Sequence, residues 1–98
     1  MKDKYTVTLR DTTFPSGIKS SLIAYIDGSE TLVIDGYDTG NLVEKLWGDS
    51  DYEYWIKVIK PEAQKVLLQL IKDRFTEEND FKKWLEEKKI KYTFESWI

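Results

Sequence analysis

The stretch that decides the fold is residues 52–75, which read YEYWIKVIKPEAQKVLLQLIKDRF. Its first half alternates as a strand does, with Tyr52, Tyr54, Ile56 and Val58 on one face and Asp51, Glu53, Trp55 and Lys57 on the other. Pro61 suits the first turn of a helix, and apolar residues then recur at spacings of three and four from Ala63 to Phe75. The stretch therefore predicts a strand over Tyr52–Ile59 that leads directly into an amphipathic helix.

The residues before this stretch predict further strands joined by tight turns. Tyr5–Thr12 alternates and stops at Pro15-Ser16-Gly17, Ile18–Ile26 leads into Asp27-Gly28, and Thr31–Ile34 is rich in β-branched residues. The alternation in the first strand places Tyr5, Val7 and Leu9 on one face and Thr6, Thr8 and Arg10 on the other. Because an Asp-Gly pair tolerates the positive φ of a hairpin turn, we expect that turn at Gly28 and a β-meander overall.

The remaining segments predict two more helices and a closing strand. A short helix is expected over 41–47, a second long helix from about Glu77 to Lys89, and an alternating strand over Lys91–Trp97. We therefore predict a single domain over residues 1–98 of the α+β class. It should be a two-layer sandwich with a mainly antiparallel five-stranded sheet, built from a β-meander, a short helix, a strand, two helices and a C-terminal strand.

The composition narrows the chemistry. The 98 residues include no histidine and no cysteine, which removes the usual general bases, thiolate nucleophiles and soft metal ligands. Asp49, Asp51 and Glu53 imitate the opening of a calcium loop, but Tyr54 stands where that loop needs glycine. We therefore expect no enzyme activity, no resident metal and no cofactor. Without an apolar run of membrane length, we also expect a cytoplasmic protein that contacts no membrane.

The charge is strongly segregated. Residues 27–53 contain eight acidic side chains and one basic side chain, whereas the flanking segments each carry a small positive balance. Acidic residues are ordinary in turns and helix caps, which accounts for part of this pattern. Around Trp47–Trp55, however, large aromatic residues alternate with carboxylates, and such residues are frequent interface anchors. The candidate partner-binding residues are Asp35, Asp38, Asp49, Asp51, Glu53, Trp55 and Trp97.

Strand alternation places Trp55 and Trp97 on one face of the predicted sheet, opposite the face that the two long helices would cover. A monomer seldom exposes a large apolar patch, so this face predicts a cover. The cover is a partner, a second copy of the chain, or a loop or the helix at 41–47 folded over the face.

The segment LVIDGYDTG at 32–40, the segment WGDSDYEYWIKV at 47–58 and the segment IKYTFESW at 90–97 together resemble small bacterial cytoplasmic proteins. In those proteins a strand ending in a D-x-G turn leads to an acidic, aromatic strand, two helices and a closing strand. The resemblance implies a bacterial origin and carries no assigned activity or catalytic residues.

These observations favour a non-enzymatic interaction module whose acidic, aromatic surface binds a basic protein, in the manner of an immunity or inhibitor protein. Direct binding of nucleic acid is not expected, because the lysines after residue 80 are interleaved with glutamates. Three alternatives stay open: a structural homo-oligomer such as a homodimer, a small carboxylate-based metal or ligand-binding regulator, and an acidic mimic of nucleic-acid phosphates.

Overall fold

The computed structural model describes residues 5–40 and 51–97 of the chain. Its elements are the strands β1 (Thr6–Thr13), β2 (Lys19–Ile26), β3 (Leu32–Thr39) and β4 (Asp51–Val58), followed by the helices α1 (Glu62–Arg74) and α2 (Glu78–Glu87). The strands form one sheet in the order β1-β2-β3-β4, and each neighbouring pair is antiparallel. The predicted α+β class and the antiparallel sheet are confirmed.

The chain divides into two compact units, residues 1–64 and residues 65–98. The first unit contains the sheet, and the second contains most of α1 and all of α2. The single domain and the two-layer packing therefore stay predictions. The helix expected over 41–47 lies outside the described residues.

The first hairpin closes through a three-residue loop. The Phe14 N–H donates to the Ile18 carbonyl at 2.8 Å, and the Gly17 N–H donates to the Phe14 carbonyl at 2.8 Å. Gly17 has a φ of 92°, so the loop is a type I turn followed by a left-handed residue. Pro15 occupies the first turn position, where its fixed φ fits.

The second hairpin has the same three-residue loop geometry, but its glycine is the first residue of the loop rather than the last. The Asp27 N–H donates to the Thr31 carbonyl at 3.0 Å, and the Glu30 N–H donates to the Asp27 carbonyl at 2.9 Å. Glu30 has a φ of 63°, so it occupies the position that Gly17 holds in the first loop. The expectation that Gly28 supplies the positive φ is wrong, because a three-residue loop needs its left-handed residue last and Gly28 comes first.

A β-bulge changes which side chains of β1 share a face. The pairing of β1 with β2 shifts between Thr8 and Arg10, so Leu9 is an extra residue with no partner position of its own. The shift places Arg10 on the same face as Val7 and opposite Thr8. The predicted grouping of Arg10 with Thr6 and Thr8 is therefore wrong, because strict alternation does not survive an inserted residue.

Strand β3 is longer than the predicted Thr31–Ile34. It runs from Leu32 to Thr39 and pairs residue by residue with both neighbours. Asp35 and Gly36, which resemble a turn in the sequence, lie in the middle of this strand. Pairing on both sides supplies the backbone hydrogen bonds that outweigh their low strand propensity.

The register defines the two faces of the sheet. The Tyr54 face carries Arg10, Ser20, Leu22, Ala24, Ile34, Gly36, Asp38, Tyr52, Tyr54 and Ile56. The Trp55 face carries Asp11, Lys19, Ser21, Ile23, Val33, Asp35, Tyr37, Asp51, Glu53, Trp55 and Lys57. The alternation predicted for residues 51–58 is confirmed. Among the described residues, Val33 is the one apolar side chain that is fully buried.

The two helices are joined through an aromatic cluster. Phe75 meets Phe81 edge-on with ring centroids 5.3 Å apart, and Trp84 stacks on Phe81 at 6.3 Å. Such pairs contribute roughly 0.5–1.5 kcal/mol each beyond the area they bury. Neither of these helices, which are the ones in the described ranges, is long and apolar enough to cross a membrane.

Helix α2 ends two residues before the predicted Lys89. The Ile90 N–H donates to the Leu85 carbonyl at 2.9 Å, and the Lys89 N–H donates to the Glu86 carbonyl at 3.1 Å. Lys89 has a φ of 60°. This is a Schellman ending, in which a left-handed residue lets the last carbonyls find donors and turns the chain away from the helix axis.

The predicted closing strand over Lys91–Trp97 is not confirmed, because residues 91–97 are assigned to no strand or helix. The Tyr92 hydroxyl donates to the Glu86 carboxylate, and the Lys82 ammonium lies 4.3 Å from the centroid of the Phe94 ring. These two side chains alternate as they would in a strand, but they contact α2 rather than a neighbouring strand.

We expect Glu30→Gly to raise the free energy of unfolding by about 0.5–1 kcal/mol, because glycine adopts left-handed backbone without the Cβ penalty. The substitution also removes an ion pair with Lys60 at 3.1 Å, but both side chains are at least half exposed and such pairs contribute little. Glu30→Ala removes the same ion pair without relieving the backbone. Chemical denaturation that finds the glycine variant no more stable than the alanine variant contradicts the argument.

We expect the Tyr92 phenol to titrate above its ordinary pKa of 10.0, because its hydroxyl donates to Glu86 and the carboxylate charge opposes ionisation. Because the pKa of Tyr92 is raised in the folded state, the contact stabilises the folded position of residues 91–97 at pH values below the unfolded pKa. This stabilisation is lost as the pH rises through the folded pKa. Glu86→Gln should lower the pKa of Tyr92 toward 10.0 in a carbon-13 NMR titration. Glu87→Gln removes an equal charge from α2, and an equal shift in both variants would refute the pairing.

Candidate functional site

Four side chains, one from each strand, form a closed hydrogen-bonded network on the Tyr54 face. Arg10 donates from Nε to Ser20 Oγ at 3.0 Å and from Nη2 to the Tyr54 hydroxyl at 3.0 Å. The Ser20 hydroxyl donates to Asp38 Oδ1 at 2.7 Å, and the Tyr54 hydroxyl donates to the same oxygen at 3.4 Å. The network therefore links β1, β2, β3 and β4 through side chains as well as through the backbone.

Gly36 makes this network possible because the Tyr54 ring lies across the backbone of β3 at that point. A Cβ built on Gly36 would stand 2.2 Å from both Cε2 and Cζ of Tyr54, which is far inside van der Waals contact. Gly36 is the directly opposite partner of Tyr54 in the register, and the ring reaches over it toward Asp38. An aromatic side chain covering a cross-strand glycine is a known way to fix the register of a sheet.

The polar groups of the network side chains are hydrogen-bonded to one another. Ser20 is 3% exposed, and its hydroxyl accepts from Arg10 while it donates to Asp38. A buried hydroxyl that both donates and accepts in this way links β1, β2 and β3, which is a structural role. Asp38 is committed to this network and lies on the face opposite Trp55.

The Trp55 face brings together four of the residues singled out in the sequence. Asp35 lies directly opposite Trp55, and Glu53 and Asp51 follow on β4 at alternate positions of the same face. Cβ atoms of directly opposite residues are about 5 Å apart in an antiparallel pair. Trp55 is 50% exposed and Tyr37, which pairs with Glu53, is 39% exposed. Their aromatic surfaces are therefore accessible beside the carboxylates.

The negative charge of this face is concentrated on one half. The β3 and β4 positions carry three carboxylates and one lysine, Lys57, whereas the β1 and β2 positions carry Asp11 and Lys19, whose charges balance. We call the set Asp35, Tyr37, Asp51, Glu53 and Trp55 the acidic-aromatic patch. It combines a half-exposed indole with one carboxylate across the strand pair, Asp35, and another two residues away along β4, Glu53.

The remaining candidates are Asp49 and Trp97. Asp49 lies outside the described residues, and Trp97 is 98% exposed in the segment that forms no strand. The prediction that Trp55 and Trp97 share a face depended on the unconfirmed closing strand. Across residues 5–40 and 51–97, no group of three or more acidic side chains is placed to hold a metal ion.

A shallow depression of about 180 Å³ lies beside the patch, lined by residues that include Asp11, Lys19 and Tyr37. Pockets for small ligands usually enclose roughly 300–1,000 Å³. The depression is smaller than such a pocket.

Sequence reasoning missed Arg10, Ser20, Gly36 and Tyr54 as a set. One signal was available, since an isolated glycine inside a β-branched run marks a close approach to the backbone. The bulge that turns Arg10 toward the network leaves no comparable trace in the sequence.

Comparison with protein-family models, with curated proteins and with solved structures finds no match to the chain.

We expect Gly36→Ala to lower the free energy of unfolding by about 2 kcal/mol, because the new methyl group displaces the Tyr54 ring and breaks its hydrogen bonds. Gly28→Ala is the matched control, since nothing lies within 4 Å of a Cβ there and its φ is not positive. That variant should be unchanged or more stable by about 0.5 kcal/mol.

The coupling between the two residues provides the sharper measurement. With Tyr54→Leu already in place, Gly36→Ala should cost less than about 1 kcal/mol, because the ring that it would strike is gone. An equal cost in both backgrounds, measured by urea denaturation, contradicts the role assigned to Gly36.

Proposed function

We propose that the chain is a non-enzymatic interaction module whose acidic-aromatic patch binds a basic surface of another protein. The observation that carries the proposal is the register of β3 and β4, which places Asp35 opposite Trp55 and Glu53 beside it on the same face. A half-exposed indole with two neighbouring carboxylates suits a guanidinium group, which can stack on the indole while it pairs with a carboxylate. The partner surface is therefore expected to present arginine.

The shape of the patch favours a protein over a small molecule. Trp55 is half-exposed on a face of the sheet, and the depression beside the patch is smaller than an ordinary ligand pocket. Tryptophan and tyrosine bury much area while few rotors are fixed, so a small patch of this kind can anchor a contact. The carboxylates around them would steer a basic partner toward the face before contact.

The same surface chemistry supports an inhibitor-type or immunity-type role. A protein that covers the basic active site of another protein needs a rigid acidic surface, and the Trp55 face rests on a sheet whose strands are linked by the Arg10–Ser20–Asp38–Tyr54 network. This comparison is an analogy of surface chemistry. Whether binding inhibits the partner protein depends on what that partner does.

The test begins with capture of partners from a lysate of the source cells on immobilised protein at low and at high salt. A captured basic protein is then purified, and its association and dissociation rates are measured with variants of the patch. Asp35→Lys should slow association at low salt by about tenfold or more, because steering depends on charge. Trp55→Ala should chiefly speed dissociation, again by about tenfold, because an anchor acts after contact.

Matched controls come from the same face of the sheet. Asp11→Lys changes the charge by the same amount on the balanced β1 and β2 half, and it should leave both rates within about twofold of the original. A partner that binds the Asp35 and Trp55 variants as well as it binds the original chain refutes the proposal. Equal loss with Asp11→Lys would reduce the contact to nonspecific charge attraction and refute it as well.

A further inference from the structure

Strand β4 lies at one edge of the sheet that the described residues form. Strand β4 ends the sheet and pairs only with β3 there, over all eight of its residues and without a register shift. An edge of this kind presents a row of backbone donors and acceptors to any strand that fits it. The opposite edge, β1, carries the bulge at Leu9, which is a common protection against such pairing.

The sequence of β4 is complementary to itself when it is read outward from Trp55. Residues at equal distances on the two sides are Tyr54 and Ile56, then Glu53 and Lys57, then Tyr52 and Val58. The two charged residues at equal distance from Trp55, Glu53 and Lys57, have opposite signs. Each tyrosine is matched at equal distance by an aliphatic residue. Charges on an edge strand ordinarily prevent pairing, but this order turns them into matching partners.

We propose that β4 of one chain pairs antiparallel with β4 of a second copy, on a two-fold axis that passes between their Trp55 residues. An axis perpendicular to the sheet keeps each face on its own side, so residues equidistant from Trp55 lie opposite one another. Glu53 of each copy then faces Lys57 of the other on the Trp55 face. On the other face, Tyr54 meets Ile56 and Tyr52 meets Val58. The two sheets become one continuous sheet.

The neighbouring registers are less favourable. Centring the pair on Tyr54 places the Glu53 carboxylate opposite the Trp55 indole twice, although it pairs Asp51 with Lys57. Centring it on Ile56 leaves Glu53 opposite Ile59 with no charge partner, although it places Lys57 opposite the Trp55 indole, where a cation can stack. Only the register centred on Trp55 satisfies Glu53 and Lys57 together, so these two residues set both the partner and the alignment.

This inference is independent of the basic partner proposed above, since it concerns the edge of β4 and uses the purified chain alone. Analytical ultracentrifugation over a wide concentration range should show a monomer–dimer equilibrium with a Kd on the order of 10 μM, as expected for a small interface. Glu53→Lys or Lys57→Glu alone should weaken it by about 10- to 100-fold, because each creates two like-charge contacts. The double variant, and an equimolar mixture of the two single variants, should restore it.

Two controls separate this register from general charge effects. Asp51→Lys makes the same charge change on the same face of β4 as Glu53→Lys, and it should leave the dimer intact. Lys19→Glu makes the same change as Lys57→Glu on an interior strand and should also leave it intact. Circular dichroism checks that every variant is folded.

Hydrogen exchange supplies an independent readout of the edge. On dimerisation, alternate amides of 51–58 should gain protection, and the amides of β1 should not. A chain that stays monomeric up to about 1 mM overturns the proposal. So does a dimer that survives both single reversals or that is lost with Asp51→Lys.

Discussion

The sheet depends on the contact between the Tyr54 ring and the bare backbone of Gly36. This contact carries the phenol across β3 to Asp38, where it meets Ser20 and Arg10 and closes the four-strand network. Each hydrogen bond of this kind contributes about 0.5–1.5 kcal/mol net, and somewhat more where a charged group takes part. Because Val33 is the single fully buried apolar side chain among the described residues, such polar links matter more here than in a sheet with a thick core. They also fix one register and exclude others.

The elements that sequence reasoning predicted well are those whose periodicity is uninterrupted. Residues 51–58 alternate with Trp55 as the one aromatic side chain among the charged positions, and α1 repeats its apolar residues at helical spacing, so both follow from local physics. The errors fall where the geometry depends on a neighbour. Asp35 and Gly36 resemble a turn until β2 and β4 pair with them, Arg10 changes face because of an inserted residue, and the alternating tail contacts α2 instead of a strand. None of these outcomes is encoded in the segment itself.

The candidate site was predictable in its composition but not in its division between faces. The acidic middle of the sequence supplies Asp35 and Asp38 from the same strand, yet the pleat sends them to opposite sides of the sheet. Asp35 joins Trp55 and Glu53 in the open acidic-aromatic patch, whereas Asp38 is held by Ser20 and Tyr54. The face on which a strand position lies therefore decides whether a carboxylate joins the proposed contact surface or the hydrogen-bonded network. The sequence shows this only when the registers of two strands are known.

The meander order has a consequence for how the sheet assembles. Every strand pairs with its neighbour in the chain, and the β1–β2 and β2–β3 hairpins close over short loops with a small loss of chain entropy, whereas residues 40–50 connect β3 to β4. The hydrogen bond between Arg10 and Tyr54 is different, because it joins residues 44 positions apart. Local zippering can therefore build the backbone ladder quickly, and the polar network closes last, once the first and fourth strands are both in place. A chain assembled in this order is held in its final alignment by side chains that take no part in its early steps.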